Sequence, residues 1–157
     1  LLFSPRWLFR VPGWCLIALG AAGYAVALPG LRVRGVTFDA HTLLFASLWI
    51  ICGFQSLLVG TFARRYGRII GLLPGEPPAA GRRTPTLERG LLLSSAAVLA
   101  GGLLLGWATL YWWETGLGAL DYARTMRWVI PGSTLTVLGF QGILASFFIG
   151  VLELKHR

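Results

Sequence analysis

Charge is what this chain has least of. Asp, Glu, Lys and Arg make up only 13% of its 157 residues, and there are just six acids: Asp39, Glu76, Glu88, Glu114, Asp121 and Glu153. Carboxylates so scattered exclude most hydrolytic and metal-assisted chemistry, which needs its groups gathered in one place. Asp39 with His41 is the one Asp/His neighbour pair, and a metal site wants three or four ligands; N-capping is the expected job of Asp39 and Asp121. A Gly-rich phosphate loop, a catalytic Ser/His/Asp set and a metal-binding pair of aspartates are all absent. That inventory is too small for an enzyme. The two cysteines, Cys15 and Cys52, differ in depth by about 12 Å at the helical rise, too far for a disulfide, and are expected to be buried packing residues. Neither a basic lead with a cleavage site nor an initiator Met precedes the first apolar run, so the chain reads as a piece of a longer protein.

What fills the chain instead is apolar sequence. Hydrophobic residues account for 55% and mean hydropathy is +0.69. Four runs without charge, at about 14–28, 42–63, 91–113 and 129–152, approach the ~20 residues a helix needs to cross a bilayer. The expectation is an all-α membrane protein: a four-transmembrane-helix bundle over residues 13–157 with a cytoplasmic loop at 64–90, preceded by a short interfacial helix over 1–12. In that entry segment Ser4-Pro5 resembles a cap with first-turn proline, Trp7, Leu8 and Phe9 favour the membrane surface, and Val11-Pro12-Gly13 should stop the helix. Thr84-Pro85 offers the same cap and proline to the third span, while the Pro- and Gly-rich stretch between Gly67 and Arg83 argues against a long internal helix.

Orientation follows from the basic residues, because short loops rich in them stay cytoplasmic. Arg6, Arg10, Arg64, Arg65, Arg68, Arg82, Arg83, Arg89, Lys155 and Arg157 fall on one side; Arg32, Arg34, Arg124 and Arg127 fall on the other. Both termini are therefore expected in the cytoplasm. The net charge of +8 is then a topology signal, with no nucleic-acid partner called for, and the central loop could also meet lipid phosphates. Tyr111, Trp112, Trp113 and Trp128 would mark the outer headgroup layer, and Trp7, Trp14 and Tyr66 the inner one.

The second and fourth spans repeat each other. Gly53-Phe54-Gln55 with Leu58 and Phe62 stands against Gly139-Phe140-Gln141 with Leu144 and Phe148, at a constant offset of 86 (139 − 53). This suggests two related helix hairpins running the same way through the membrane. Small residues four apart allow close helix approach, as at Ser56/Gly60, Gly102/Gly106 and Gly142/Ser146. Gln55 and Gln141 lie near mid-depth, where an unpaired amide is costly. They are expected to bond each other, or to help hold a lipid-linked substrate.

Several segments together resemble the C-terminal membrane region of bacterial family 2 glycosyltransferases similar to dolichyl-phosphate mannose or glucose synthases. They are Ser4-Pro5-Arg6-Trp7-Leu8-Phe9, Asp39-Ala40-His41-Thr42-Leu43-Leu44-Phe45, the Gly-Phe-Gln pair, Thr86-Leu87-Glu88-Arg89-Gly90 and Val129-Ile130-Pro131-Gly132. The resemblance implies a cytoplasmic catalytic domain upstream of Leu1, with a divalent metal, that moves a sugar from a nucleotide donor to polyprenyl phosphate. It leaves this chain, in a bacterial inner membrane and without catalytic residue or cofactor of its own, as membrane anchor and acceptor-lipid platform. Arg6, Arg10, Arg64, Arg65, Arg68 and Arg89 would attract the carrier's phosphate, and spans two and four would cradle its isoprenoid tail. A small lipid-linked-sugar flippase, or a pure anchor and oligomerisation module, would have a similar inventory; the lack of ionisable groups inside the spans weighs against coupled ion transport.

Overall fold

The computed structural model describes residues 6–30, 32–33, 36–72, 85–119 and 121–154. A single turn of π-helix, Arg6–Arg10, leads directly into α1 (Val11–Ala27). A two-residue antiparallel ladder, β1 (Arg32–Val33) with β2 (Val36–Thr37), joins α1 to α2 (Ala40–Ile69). Two further helices follow, α3 (Pro85–Glu114) and α4 (Tyr122–Leu154). All four are long and apolar enough to cross a membrane.

The helices outrun the charge-free runs. α2 carries Arg64, Arg65 and Arg68 inside its last turns, and α3 starts at Pro85, so the expected loop at 64–90 shortens at both ends. Hydropathy marks where lipid stops, whereas a helix stops where its hydrogen-bond ladder stops. Pro85 does open α3, in keeping with proline's fit to a first turn. The expected stop at Val11-Pro12-Gly13 is not present: Arg10 already has helical backbone, and Pro12 sits at the start of α1, where its missing N–H costs little. Ser4-Pro5, Thr84 and the Pro- and Gly-rich stretch of 73–83 lie outside the described residues.

The helices pack in the order α1, α2, α4, α3, two sequential hairpins joined through α2 and α4. Both hairpins cross in the same way at backbone level. A side chain on Gly53 would strike the Gly13 carbonyl and Ile17 of α1; one on Gly139 would strike the Ser94 carbonyl and Val98 of α3. Gly20 likewise abuts the Ala46 carbonyl and Ile50, and Gly101 abuts the Gly132 carbonyl and Thr136. Each contact in hairpin one maps onto its twin by adding 86 in the second helix and 81 (101 − 20) in the first. The repeat is therefore structural, and since a hairpin crosses the membrane twice, its copies are parallel repeats about an axis along the membrane normal.

Glycines are required at these crossings because, besides the side chains they meet, each faces a main-chain carbonyl oxygen that cannot give way. The expected packing pair Gly102 and Gly106 lies elsewhere: both are exposed, with nothing near their missing side chains, and α3 meets α4 through Gly101. Gly142 packs on Ser94, and Ser146, buried, faces Gly90. Gly60 receives Phe9, and the Ser56 hydroxyl donates to the Phe9 carbonyl at 2.9 Å, which ties the entry turn to α2.

Hydroxyls inside the bundle mostly bond back to their own helix, as an apolar surrounding demands. Ser47 donates to the Leu43 carbonyl, Thr134 to Ile130 and Ser146 to Gly142. One cluster also crosses between hairpins: Tyr24 of α1 places its hydroxyl 2.6 Å from Ser47 Oγ on α2 and 3.0 Å from Thr134 Oγ1 on α4. Around it Ala27, Ala40, Leu43 and Ile130 form a closed apolar core with Phe38 and Met126. Asp39 occupies the N-cap of α2, yet its side chain makes no cap bond. It faces Arg127 of α4 at 3.8 Å instead, a second link between hairpins. Asp121 does cap, accepting from the Arg124 N–H at 3.4 Å.

Candidate functional site

The two halves of the α2/α4 seam differ. At the end near Tyr24 the helices close on the core just described; toward the arginine-rich end they border an open groove of about 660 Å³, a volume within the range of ordinary ligand sites. Its walls are Gln55, Leu58, Val59 and Phe62 from α2 and Gln141, Leu144, Ala145, Phe147, Phe148 and Val151 from α4. Four facing pairs are repeat partners: Gln55 with Gln141, Leu58 with Leu144, Val59 with Ala145 and Phe62 with Phe148. The phenyl rings of Phe62 and Phe148 touch edge to face, 4.8 Å between centroids.

Apart from Phe54 and Phe140, which lie outside the lining, the repeated identities thus divide into two sets. Gly53 and Gly139 set the crossing inside each hairpin, while the repeated Gln, Leu and Phe line the groove between hairpins. Phe147 and Val151 carried no signal in the sequence, because their repeat partners, Thr61 and Arg65, differ in character.

Gln55 and Gln141 both reach the groove, but the expected amide bond between them is not made. Gln55 is exposed, and the Oε1 atom of Gln141 is shielded from solvent with no hydrogen-bond partner among the described residues. The two amides sit at the closed, mid-membrane end of an otherwise apolar pocket.

From Gln55 the lining of α2 proceeds through Leu58, Val59 and Phe62, and the next residue on that stripe is Arg65. Ten residues at the helical rise span about 15 Å, roughly half of a ~30 Å hydrocarbon layer. The groove therefore covers about half the depth of such a layer, and beyond it α2 runs on through Arg64, Arg65 and Arg68. Arg65 and Arg64 are half-buried, with Arg64 Nε donating to the Gly60 carbonyl at 3.2 Å. Arg68 one turn on, Arg10 at the head of α1 and Arg89 in the first turns of α3 are exposed. Arg6 opens the entry turn. The fold gathers five of these six at one end of the bundle, the sixth at the helix start beside them.

Trp7, Trp14 and Tyr66 are exposed at this end, and Tyr111, Trp112, Trp113 and Trp128 are partly or largely exposed at the other. Cys15 and Cys52 are exposed rather than buried; each lies on the outward side of its helix, away from the neighbouring crossing glycine. Among the described residues no three His, Cys, Asp or Glu side chains group as a metal site.

Four helices of this length, with an apolar groove between two of them and arginines gathered at one end, define a multi-pass membrane protein. The chain belongs to the glycosyltransferase family 2 C-terminal transmembrane region, whose pattern it matches over residues 61–153. It is also 28% identical, over 95% of its length, to the low-salt glycan biosynthesis hexosyltransferase Agl6 of Haloferax volcanii. It covers 35% of that protein, so the chain spans about a third of the relative it matches. No solved structure matches it.

Proposed function

We propose that the chain is the membrane anchor and acceptor-lipid platform of a glycosyltransferase that moves a sugar from a nucleotide donor to polyprenyl phosphate. The observation that carries this reading is the α2/α4 groove, apolar along its length and ending at arginines. A polyprenyl tail gains nothing by leaving lipid for an equally apolar groove, so the groove selects by shape while the phosphate supplies affinity. Arginine suits that end because it offers several donors in a rigid fork. Arg65, Arg64 and Arg68 would meet the phosphate directly, with Arg6, Arg10 and Arg89 raising the local positive potential. On this reading the arginine-rich end and both termini are cytoplasmic, in a bacterial inner membrane. A catalytic domain upstream of Leu1 carries the divalent metal and the chemistry. Gly102 and Gly106, open within one chain, are the surface on which copies of a homo-oligomer would meet.

The test is native mass spectrometry of the chain in nanodiscs supplied with polyprenyl phosphate and an excess of phosphatidylglycerol. One polyprenyl phosphate should be retained per chain, and Arg64→Gln with Arg65→Gln and Arg68→Gln should reduce that retention at least tenfold, the scale of losing one charge-assisted hydrogen bond. Failure to retain polyprenyl phosphate, or an unaffected triple variant, would leave a plain anchor whose arginines set topology alone.

A further inference from the structure

A second cleft, of about 200 Å³, opens between α3 and α4 at the end of the bundle remote from Arg64. Trp107, Ala108 and Tyr111 supply one wall, and Arg124, Thr125 and Trp128 the other. Trp107 stacks on Tyr111, one turn along α3, with 6.1 Å between ring centroids, and meets Trp128 across the cleft edge-on at 5.3 Å. All three rings remain about half exposed. Arg124 is exposed, and its guanidinium pairs with no carboxylate among the described residues; Arg127, one turn on, is the residue that faces Asp39.

The repeat shows that this place is not fixed by the fold. Carried along the helices, its register sets Ala108 against Ala27, Arg124 against Phe38 and Trp128 against Thr42. In the first hairpin Ala27 is fully buried, and Phe38 packs on the closed core with Leu43 and Ile130. A girdle of interfacial aromatics alone would mark both hairpins alike. Here one hairpin fills the position with core, and the other leaves it hollow, walls it with three aromatic rings and puts a cation where its twin has phenylalanine.

The depth of the cleft suits a lipid. Arg124 lies in the first turn of α4, at headgroup level, while Trp107 is seven residues before the end of α3, about 10 Å deeper at the helical rise. We propose that the cleft binds an anionic phospholipid from the leaflet at this end, its phosphate on the Arg124 guanidinium and one acyl chain against Trp107, Ala108 and Trp128. Charge complementarity favours that occupant: an unpaired arginine beside a membrane is matched by an anionic headgroup. The site shares no residue with the α2/α4 groove and stands whether or not that groove holds polyprenyl phosphate.

The full chain is placed in nanodiscs of phosphatidylcholine doped with phosphatidylglycerol, released into detergent, and its retained lipid counted by native mass spectrometry. One phosphatidylglycerol per chain should be kept in preference to phosphatidylcholine. Arg124→Gln, at an exposed position, should lower that retention about tenfold. Trp128→Leu, which keeps the charge and opens the cleft, should lower it as well, and Arg64→Gln with Arg65→Gln and Arg68→Gln should leave it unchanged. Equal retention of the two lipids, or wild-type retention by Arg124→Gln, would overturn the assignment. So would loss in the triple variant alone, which would place the lipid at the other end.

Discussion

Two adjacent glycines of α3 should respond in opposite ways to the same methyl group. At Gly101 a new Cβ would sit 2.6 Å from the Gly132 carbonyl oxygen and 2.7 Å from the Thr136 amide nitrogen, where ordinary contact begins at 3.4 Å. Both obstacles are backbone of α4, so α3 and α4 must part by roughly 0.7 Å, a gap that forfeits a quarter to a half of each facing dispersion well. Overpacking of this kind costs about 1–3 kcal/mol. At Gly102 the Cβ meets nothing within 4 Å, and only alanine's intrinsic helical advantage remains, at most about 0.5–1 kcal/mol. That advantage is common to both variants, so Gly101→Ala should be less stable than Gly102→Ala by about 1–3 kcal/mol. Unfolding in mixed micelles by sodium dodecyl sulfate, followed by far-ultraviolet circular dichroism, reads the difference. If the two variants unfold together, or Gly102→Ala is the weaker, the crossing assigned to Gly101 is wrong. The same reasoning applies to Gly20→Ala, whose methyl would lie 2.6 Å from the Ala46 carbonyl.

Tyr24→Phe should cost about 0.6–1.7 kcal/mol, the measured span for interhelical hydrogen bonds in a membrane. Ser47 and Thr134 give their protons to the Leu43 and Ile130 carbonyls, which leaves the single Tyr24 proton for two contacts, so the variant loses one full bond; a loss above about 3 kcal/mol in the same titration would show that Tyr24 acts chiefly through packing. Gln141→Leu should leave stability unchanged or raise it by up to about 2 kcal/mol, since it removes a shielded carbonyl oxygen with no partner. Destabilisation by more than about 1 kcal/mol would mean that the amide is already paired.

How much of this was legible in the sequence depended on whether the signal was one of depth or of rotation. Depth was readable: charge-free runs located four helices long and apolar enough to span. Rotation about each helix axis was not, because a helix apolar all round carries no amphipathic stripe to tell a lipid-facing side from a packed one. Cys15 and Cys52 were assigned to the interior and lie outside it for that reason, and the small-residue pattern chose Gly102 and Gly106 where the crossing uses their neighbour Gly101. Only the repeat carried rotational information. Of the residues kept identical at an offset of 86, Gly53 and Gly139 proved to face the crossing and the Gln55, Leu58 and Phe62 pairs the groove, whereas Phe140, the twin of Phe54, is exposed outside both.

The packing order also sets a sequence of events during synthesis. α1 and α2 are chain neighbours whose crossing at Gly13, Gly20 and Gly53 needs nothing from later residues, and Tyr24 can settle on Ser47 before Thr134 has been made. A nascent chain that has reached Leu72 thus already owns a finished half with one face of α2 still bare. The second hairpin arrives at a template rather than at a loose strand of protein, and the groove comes into being only when α4, translated after α3, lies down beside that face.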